Sequence, residues 1–289
     1  MRFAHVVPDG VDEPQLVLVE EDRATVVSRL FDGAPSRLQR LIEGGDALLA
    51  RVRDAAADPE VEWMPLGSPV FASAILDTPV TIAVGLNYAA HSSELGLKAD
   101  AAPTIFTLWP GSLGGHRQTT TWPRSLSQSV DYEAELGVVI GSAARDVALE
   151  DALDHVWGYT VVNDITARDI QFSEAQWSRC KSFDGFTPTG PFVVTADEIP
   201  DPQDLHIWAV VDGQTVQDAS TGQMIHPVAK LVSYLSRSAT LLPGTLISTG
   251  SPGGAGYSRD PQIFLRDRST VTVAVEGVGE LTTHCRVVD

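Results

Sequence analysis

The sequence predicts an α+β fold, rich in strands and mixed in its pairing. Three observations carry that expectation. Stretches with strand character outnumber those with helical spacing, the helical stretches do not alternate regularly with the strands, and residues 1–75 differ in character from the rest. Regular alternation would indicate a doubly wound sheet or a barrel of alternating strands and helices. Its absence indicates a strand-rich domain with helices set apart from the sheet.

In residues 1–75, PQLVLVEEDRATVV reads as two short strands around an acidic turn. SRLQRLIEGGDALLARVRDAAAD has apolar residues at helical spacing, interrupted at Gly44-Gly45. No cluster of His, Cys and carboxylates occurs here, so the segment is expected to be a small N-terminal α/β module with a capping or interface role. MPLGSP, residues 64–69, is the expected linker to a larger domain, residues 76–289. There TPVTIAVGLN reads as a buried strand and YAAHSSELG as a short helix closed at Gly96, a favoured C-cap residue. DYEAELGVVIG is a strand, LEDALDHV a helix, WGYTVVND a strand and ITARDIQFSEAQW a helix. GPFVV, LHIWAVVDG, TLISTG and STVTVAVEGVGELTTHCRV supply further strands.

A chain of 289 residues with 43% hydrophobic and 20% charged residues can bury a sizeable core. The net charge of −18 repels phosphate backbones, which argues against a nucleic-acid partner. No apolar run approaches the roughly 20 residues that cross a bilayer, so no membrane association is expected. The start, MRFAHVVPDGVDEP, lacks the pattern of a secretory signal. Cys180 and Cys285 are too few for a disulfide framework or a thiolate metal site, and a cytoplasmic location is the expectation.

The chemistry concentrates in a few places. Asp131, Glu133 and Glu135 alternate along DYEAELGVVI, and a strand's period of two puts all three on one face, successive ones about 7 Å apart. Tyr132, Ala134, Leu136, Val138 and Ile140 take the other face. A solvated face accommodates this pattern. So does a cation site: acidic residues are poor strand formers, like charges repel, and a hard cation bound through oxygen removes the conflict. Asp164 ends an apolar strand just before a helix, and serves either as a further ligand or as that helix's N-cap.

His91 and Glu94, three apart in a short helix, share a face. Such a pair is a weak surface contact or a general base for water, with the carboxylate fixing the imidazole tautomer. Lys181, in RCKSFDGFTPTGP, is a solvated surface residue or, beside a metal, a holder of a carboxylate or oxyanion. Gln171 follows Asp164 by seven residues, two helical turns, so both can face one cavity. STGSPGGAG is glycine-rich but lacks the Gly-Lys-Ser/Thr ending of a phosphate loop.

Taken in order, GLNYAAHSSELG, DYEAELGVVIG, GYTVVNDITARDIQ, KSFDGFTPTGP, LLPGTLISTGSPGG and VEGVGEL resemble the fumarylacetoacetate hydrolase family, its acylpyruvase-like branch. The resemblance spans residues 82–287. It implies a mixed β-roll catalytic domain, a homodimer, and Mg²⁺ as cofactor, with Mn²⁺ or Ca²⁺ as substitutes and no organic cofactor. Carried over by position, Glu133, Glu135 and Asp164 would be metal ligands and Asp131 would stand behind them. His91 and Glu94 would be the acid–base pair, Lys181 a catalytic and substrate-binding residue, and Gln171 and Ser251 substrate-binding residues. Three departures stand out. Leu108, followed by Trp109, replaces a frequent Lys and suggests a more apolar distal substrate group. Ser251 replaces a Thr but keeps the hydroxyl. Arg268-Ser269 replaces a Gly-Asp turn.

The implied activity is hydrolysis of a C–C bond in a 2,4-diketo acid, through an enolate stabilised by the metal on the keto oxygen. Decarboxylation or tautomerisation of a related 2-keto acid passes through the same enolate. A catalytically silent binding protein is the reading from another class.

Overall fold

The computed structural model describes residues 1–8, 13–94 and 102–289. Among these, residues 1–75 supply β1 (Arg2–Val7), β2 (Gln15–Glu20), β3 (Arg23–Val26), α1 (Leu38–Glu43), α2 (Gly45–Ala56), β4 (Met64–Pro65) and β5 (Val70–Phe71). There follow β6 (Thr81–Gly85), α3 (Ala89–Glu94), β7 (Thr104–Leu108), β8 (Leu113–Gly114), β9 (Thr119–Pro123), β10 (Val130–Asp131) and β11 (Ala134–Ile140). The middle of the chain forms β12 (Val156–Asn163), β13 (Thr166–Ala167), α4 (Arg168–Ser173), β14 (Thr187–Thr195), β15 (His206–Val211) and β16 (Gln214–Ser220). Last come α5 (Val228–Ser238), β17 (Leu246–Ser248), β18 (Thr270–Val275) and β19 (Gly279–Val288).

Strands dominate, as the sequence predicts, and they form mixed sheets. The largest has the path β4-β3-β2-β1-β14-β12-β11-β17-β6-β7, and a five-stranded sheet runs β16-β15-β18-β19-β9. Most pairs are antiparallel, whereas β17 with β6, β19 with β9 and β14 with β8 are parallel. β1 joins the N-terminal strands to the large sheet through Arg2 opposite Val194 on β14.

β11 shows why the site sits where it does. Its alternate residues Ala134, Leu136, Val138 and Ile140 enter a core shared with Ile207 and Val273 of the five-stranded sheet and Leu231 of α5. The opposite face carries Glu135, Gly137 and Val139. Val139 packs in a second cluster with Leu38, Leu41 and Val52 of α1 and α2. Both faces are covered, so every residue of β11 is buried, including Glu135. A charge buried in such a place requires partners.

Three elements differ from the sequence reading. DYEAELGVVIG is not one strand: β10 ends at Asp131 to pair with β13, and the Glu133 N–H donates to the Asn163 side chain rather than to a ladder. LEDALDHV forms only a short 3₁₀ turn over Ala152–His155. ITARDIQFSEAQW begins as β13 because Thr166 and Ala167 pair with Asp131 and Val130, leaving a helix of six residues, α4. The helix closure at Gly96 lies outside the described residues. Arg268, where a Gly-Asp turn was expected, adopts φ 69°, a left-handed conformation that favours glycine.

The N-terminal strand carries a titrating group. His5 on β1 is buried, and its Nε2 accepts from the Leu38 N–H that opens α1. Nδ1 must then carry the proton and donate to the Ala74 carbonyl. Burial holds its pKa down to about 4, from an ordinary 6.5. As pH falls from 6.5 toward 4, the unfolded chain binds a proton that the native state refuses, so stability is lost through that window. The loss is on the order of 3 kcal/mol. Denaturant unfolding at pH 7.5 and 4.5 should show the wild type losing about 2–3 kcal/mol more than His5→Gln. Equal losses would remove His5 as the source.

Candidate metal centre

Strand register brings the acidic residues together. Ala134 on β11 lies opposite Asn163 on β12. One step beyond this pair, Asp164 donates its N–H to the Glu133 carbonyl at 3.0 Å, which sets the two residues side by side. Glu135 follows Glu133 by two residues and so shares its face. Carboxylate oxygens from Glu133, Glu135 and Asp164 all lie within 4.8 Å of one another, and all three side chains are buried. Asp131 stands behind this triad, its oxygens taken by Arg168 Nε at 2.7 Å and by the Tyr257 N–H at 2.9 Å.

Arg168 is the residue that sequence reasoning missed. It is fully buried at the first turn of α4. Its guanidinium donates to Asp131 at 2.7 Å, to Glu133 Oε1 at 2.6 Å and to Gln171 Oε1 at 2.9 Å. A signal existed: Arg168 and Gln171 are three apart, and a run of buried strand carboxylates demands a cation nearby. Gln171 does reach the cavity, but from the start of α4 rather than two turns along a helix from Asp164. Nor is Asp164 the cap of that helix, whose N-cap position is Ala167.

Lys181 is buried, not solvated. Backbone bonds from Ala167 to the Cys180 carbonyl and from Ile165 to the Phe186 carbonyl hold its segment against β13. Nζ donates to Glu133 Oε2 at 2.7 Å and to Asp164. Ser248 Oγ and the Gly250 N–H donate to Glu135 Oε2 at 2.5 and 2.8 Å.

The charges do not balance within the protein. Four buried carboxylates face two buried cations, Arg168 and Lys181. Burial, with Asp164 and Glu133 adding repulsion, drives the Glu135 carboxyl well above the usual carboxylate range. Burial likewise raises Asp164 to about 6 in spite of Lys181. Asp164 Oδ1 is buried and finds no hydrogen-bond partner among the described residues. A surplus of two negative charges, an unpartnered oxygen and an all-carboxylate donor set fit one hard divalent cation, so Glu133, Glu135 and Asp164 are an acidic triad able to hold a metal ion.

The cavity over the triad is lined by His91, Glu133, Glu135, Asp164, Gln171, Lys181 and Ser251. These are seven of the nine residues singled out from sequence; Asp131 and Glu94 lie outside the lining. Val84, Gly85, Leu86 and Trp177 form the remaining, apolar wall. Leu108 packs with Ala83, Phe106 and Trp177. The glycine loop approaches closely: at Gly250, φ 96°, an added Cβ would meet Asn87 Cβ at 2.7 Å. Asn87 in turn bonds Thr249 and His226 and fixes the entry to α3.

One expected contact is corrected. Glu94 does not hold His91. Both Glu94 oxygens accept from the Gly254 N–H, at 3.0 and 2.9 Å, and Ser258 Oγ donates to Oε2. A backbone N–H and a hydroxyl thus take the carboxylate, and charge-assisted bonds of this kind are strong. His91 turns inward instead, with Nε2 3.3 Å from Glu133 Oε1 and a buried Nδ1 that finds no hydrogen-bond partner among the described residues. Sequence spacing placed both on one helix face but not which neighbour each would choose.

Replacing Arg168 by Met should cost about 3–5 kcal/mol, because Asp131 and Glu133 would remain buried without their cation. Arg168→Lys should lose less. Denaturant midpoints measure both, and a wild-type midpoint for Arg168→Met would show that the guanidinium is dispensable.

Residues 80–287 match the model of the family described as fumarylacetoacetate (FAA) hydrolase, C-terminal. Solved structures agree over the whole chain. Fumarylacetoacetate hydrolase from psychrophilic Exiguobacterium antarcticum is 31% identical with a TM-score of 0.86, covering 99% of each chain. 5-Carboxymethyl-2-hydroxymuconate delta-isomerase from Mycobacterium smegmatis is 30% identical, TM-score 0.77, covering 99% of this chain and all of that one. Maleylpyruvate hydrolase from Sphingobium sp. SYK-6, in complex with manganese(II) and pyruvate, is 26% identical, TM-score 0.83, with complete coverage of both chains.

Proposed function

Given that the chain belongs to the fumarylacetoacetate hydrolase family, we propose that it is a divalent-metal-dependent hydrolase that cleaves a C–C bond in a 2,4-diketo acid of the acylpyruvate type. The observation that carries this reading is the buried acidic triad with its surplus negative charge, opening onto the same cavity as His91, Lys181, Gln171 and Ser251. Glu133, Glu135 and Asp164 would hold the cation. Bound there, Mg²⁺ or Mn²⁺ supplies Lewis acidity to the 2-keto acid end of the substrate and offsets the anion left by cleavage.

The remaining steps belong to side chains. Gln171 and Ser251 hold the substrate by hydrogen bonds. His91, the imidazole lining the cavity, takes a proton from water as that water attacks the C4 carbonyl. Lys181 holds the developing oxyanion. The C3–C4 bond then breaks, its electron pair stays with the pyruvate fragment as an enolate, and protonation at C3 completes the balance. The apolar wall of Val84, Leu86 and Trp177, with Leu108 behind it, favours a hydrocarbon acyl group beyond C4.

A second reading has an observation in its favour. Glu94 is engaged by Gly254 and Ser258 rather than by His91, and an isomerisation or decarboxylation needs no activated water. The similar Mycobacterium smegmatis protein is a delta-isomerase.

Two variants test the proposal. Glu135→Gln should abolish turnover of acylpyruvates and weaken Mn²⁺ binding in a calorimetric titration; full activity of chelator-treated protein would remove the metal from the reaction. His91→Ala should leave Mn²⁺ affinity nearly unchanged and lower kcat by ~10²–10⁴. A collapse of metal affinity would make His91 a ligand. An unchanged kcat would favour the isomerase or decarboxylase reading.

A further inference from the structure

Gln217 lies on β16, outside the cavity lining, yet it is buried and reaches both sides of the site. Its Oε1 accepts from the Ala134 N–H at 2.9 Å. Its Nε2 donates to Ser251 Oγ at 2.8 Å and to the Pro252 carbonyl at 2.9 Å. The orientation of this amide is forced. The Ala134 N–H can only donate and the Pro252 carbonyl can only accept, so oxygen must face Ala134 and nitrogen must face Pro252. The flip that usually leaves a glutamine ambiguous is thereby excluded.

The consequence falls on Ser251. A hydroxyl has one proton to donate and lone pairs to accept. Ser251 Oγ accepts from Gln217, and among the described residues no protein group receives its own proton. Ser251 lines the cavity beside the acidic triad. We propose that Gln217 is a positioning residue that fixes Ser251 as a hydrogen-bond donor to the bound substrate, and so selects an accepting oxygen, such as that of a carboxylate, at that point. The inference rests on the reading of the cavity as a 2-keto acid site. The same amide also accepts from the Ala134 N–H between Glu133 and Glu135, so Mn²⁺ affinity measured on its own separates that backbone contact from the one to Ser251.

The test is a double-mutant cycle on the full-length protein, with pyruvate as the binding probe in the presence of saturating Mn²⁺. Gln217→Met, similar in size but without an amide, should weaken pyruvate binding by roughly 10- to 100-fold, the worth of a hydrogen bond to a charged group. Ser251→Ala should do the same, and the double variant should bind no more weakly than the worse single one. Ser251→Thr should retain the wild-type affinity, and Mn²⁺ affinity measured alone should be nearly unchanged in Gln217→Met. With an acylpyruvate substrate, the loss should appear in KM more than in kcat.

Additive losses in the cycle would overturn the assignment, because Gln217 would then act by another route. Equal falls in Mn²⁺ and pyruvate affinity would overturn it too, placing the effect at the Ala134 backbone. Wild-type pyruvate binding by Gln217→Met would dismiss Gln217 and leave the proposed function standing. A wild-type protein that binds no pyruvate with Mn²⁺ present would remove that function, and this inference with it.

Discussion

The structure around the site depends on one constraint: four carboxylates are taken out of water, three with oxygens within 4.8 Å of one another and the fourth, Asp131, joined to them through Arg168. Ion burial costs several kcal/mol per charge unless each charge is paired and hydrogen-bonded. Arg168 meets part of that demand and Lys181 another part. The planar fork of Arg168 bridges Asp131 and Glu133 at once and still reaches Gln171, which a lysine's compact ammonium cannot reproduce. The break in the acidic strand follows from this. Asp131 leaves the line of β11, pairs with β13, and so meets the guanidinium that α4 presents immediately afterwards.

The remaining charge is placed by rigid elements. Glu135 lies on β11, which is covered on both faces, Glu133 immediately precedes that strand, Asp164 follows directly from its partner strand, and Ser248 and Gly250 clamp Glu135 from a third. Each position is set by sheet register rather than by a side chain's freedom, and so the oxygens stay close despite their repulsion. Gly250 is part of the same arrangement: its positive φ and its closeness to Asn87 let the glycine-rich loop press against the start of α3. The loop is glycine-rich for close packing, which accounts for its missing phosphate-loop ending.

Much of this was legible in the sequence. The period of two in DYEAE marked the strand carboxylates, and the apolar run before Asp164 marked the end of its strand. What failed did so for identifiable reasons. Local periodicity cannot show that Thr166 and Ala167 are claimed by β10, so a helix was read where a short strand begins. Spacing alone made His91 and Glu94 partners, whereas the Gly254 N–H, distant in sequence, takes the carboxylate. Arg168 and Gln217 escaped because each acts through buried partners more than 30 residues away, Asp131 and Ser251 among them. The fold class was readable because it depends on patterns within segments; the site was readable only where its residues shared a segment.

The two kinds of chemical work are divided between two kinds of scaffold. The charge-holding groups sit on strands and on turns pinned to them, where reorganisation is costly and a preorganised field is cheap to maintain. His91, the group suited to moving a proton, sits instead on a helix of six residues whose far end is tied by Glu94 to the Gly254 and Ser258 loop. That tie is exposed, whereas the contacts of the triad are buried. The helix meets the triad at one point, where the buried His91 lies 3.3 Å from Glu133. The physical demands of the two tasks point the same way: a cation site must hold opposing charges still, while a proton carrier must be able to approach and withdraw.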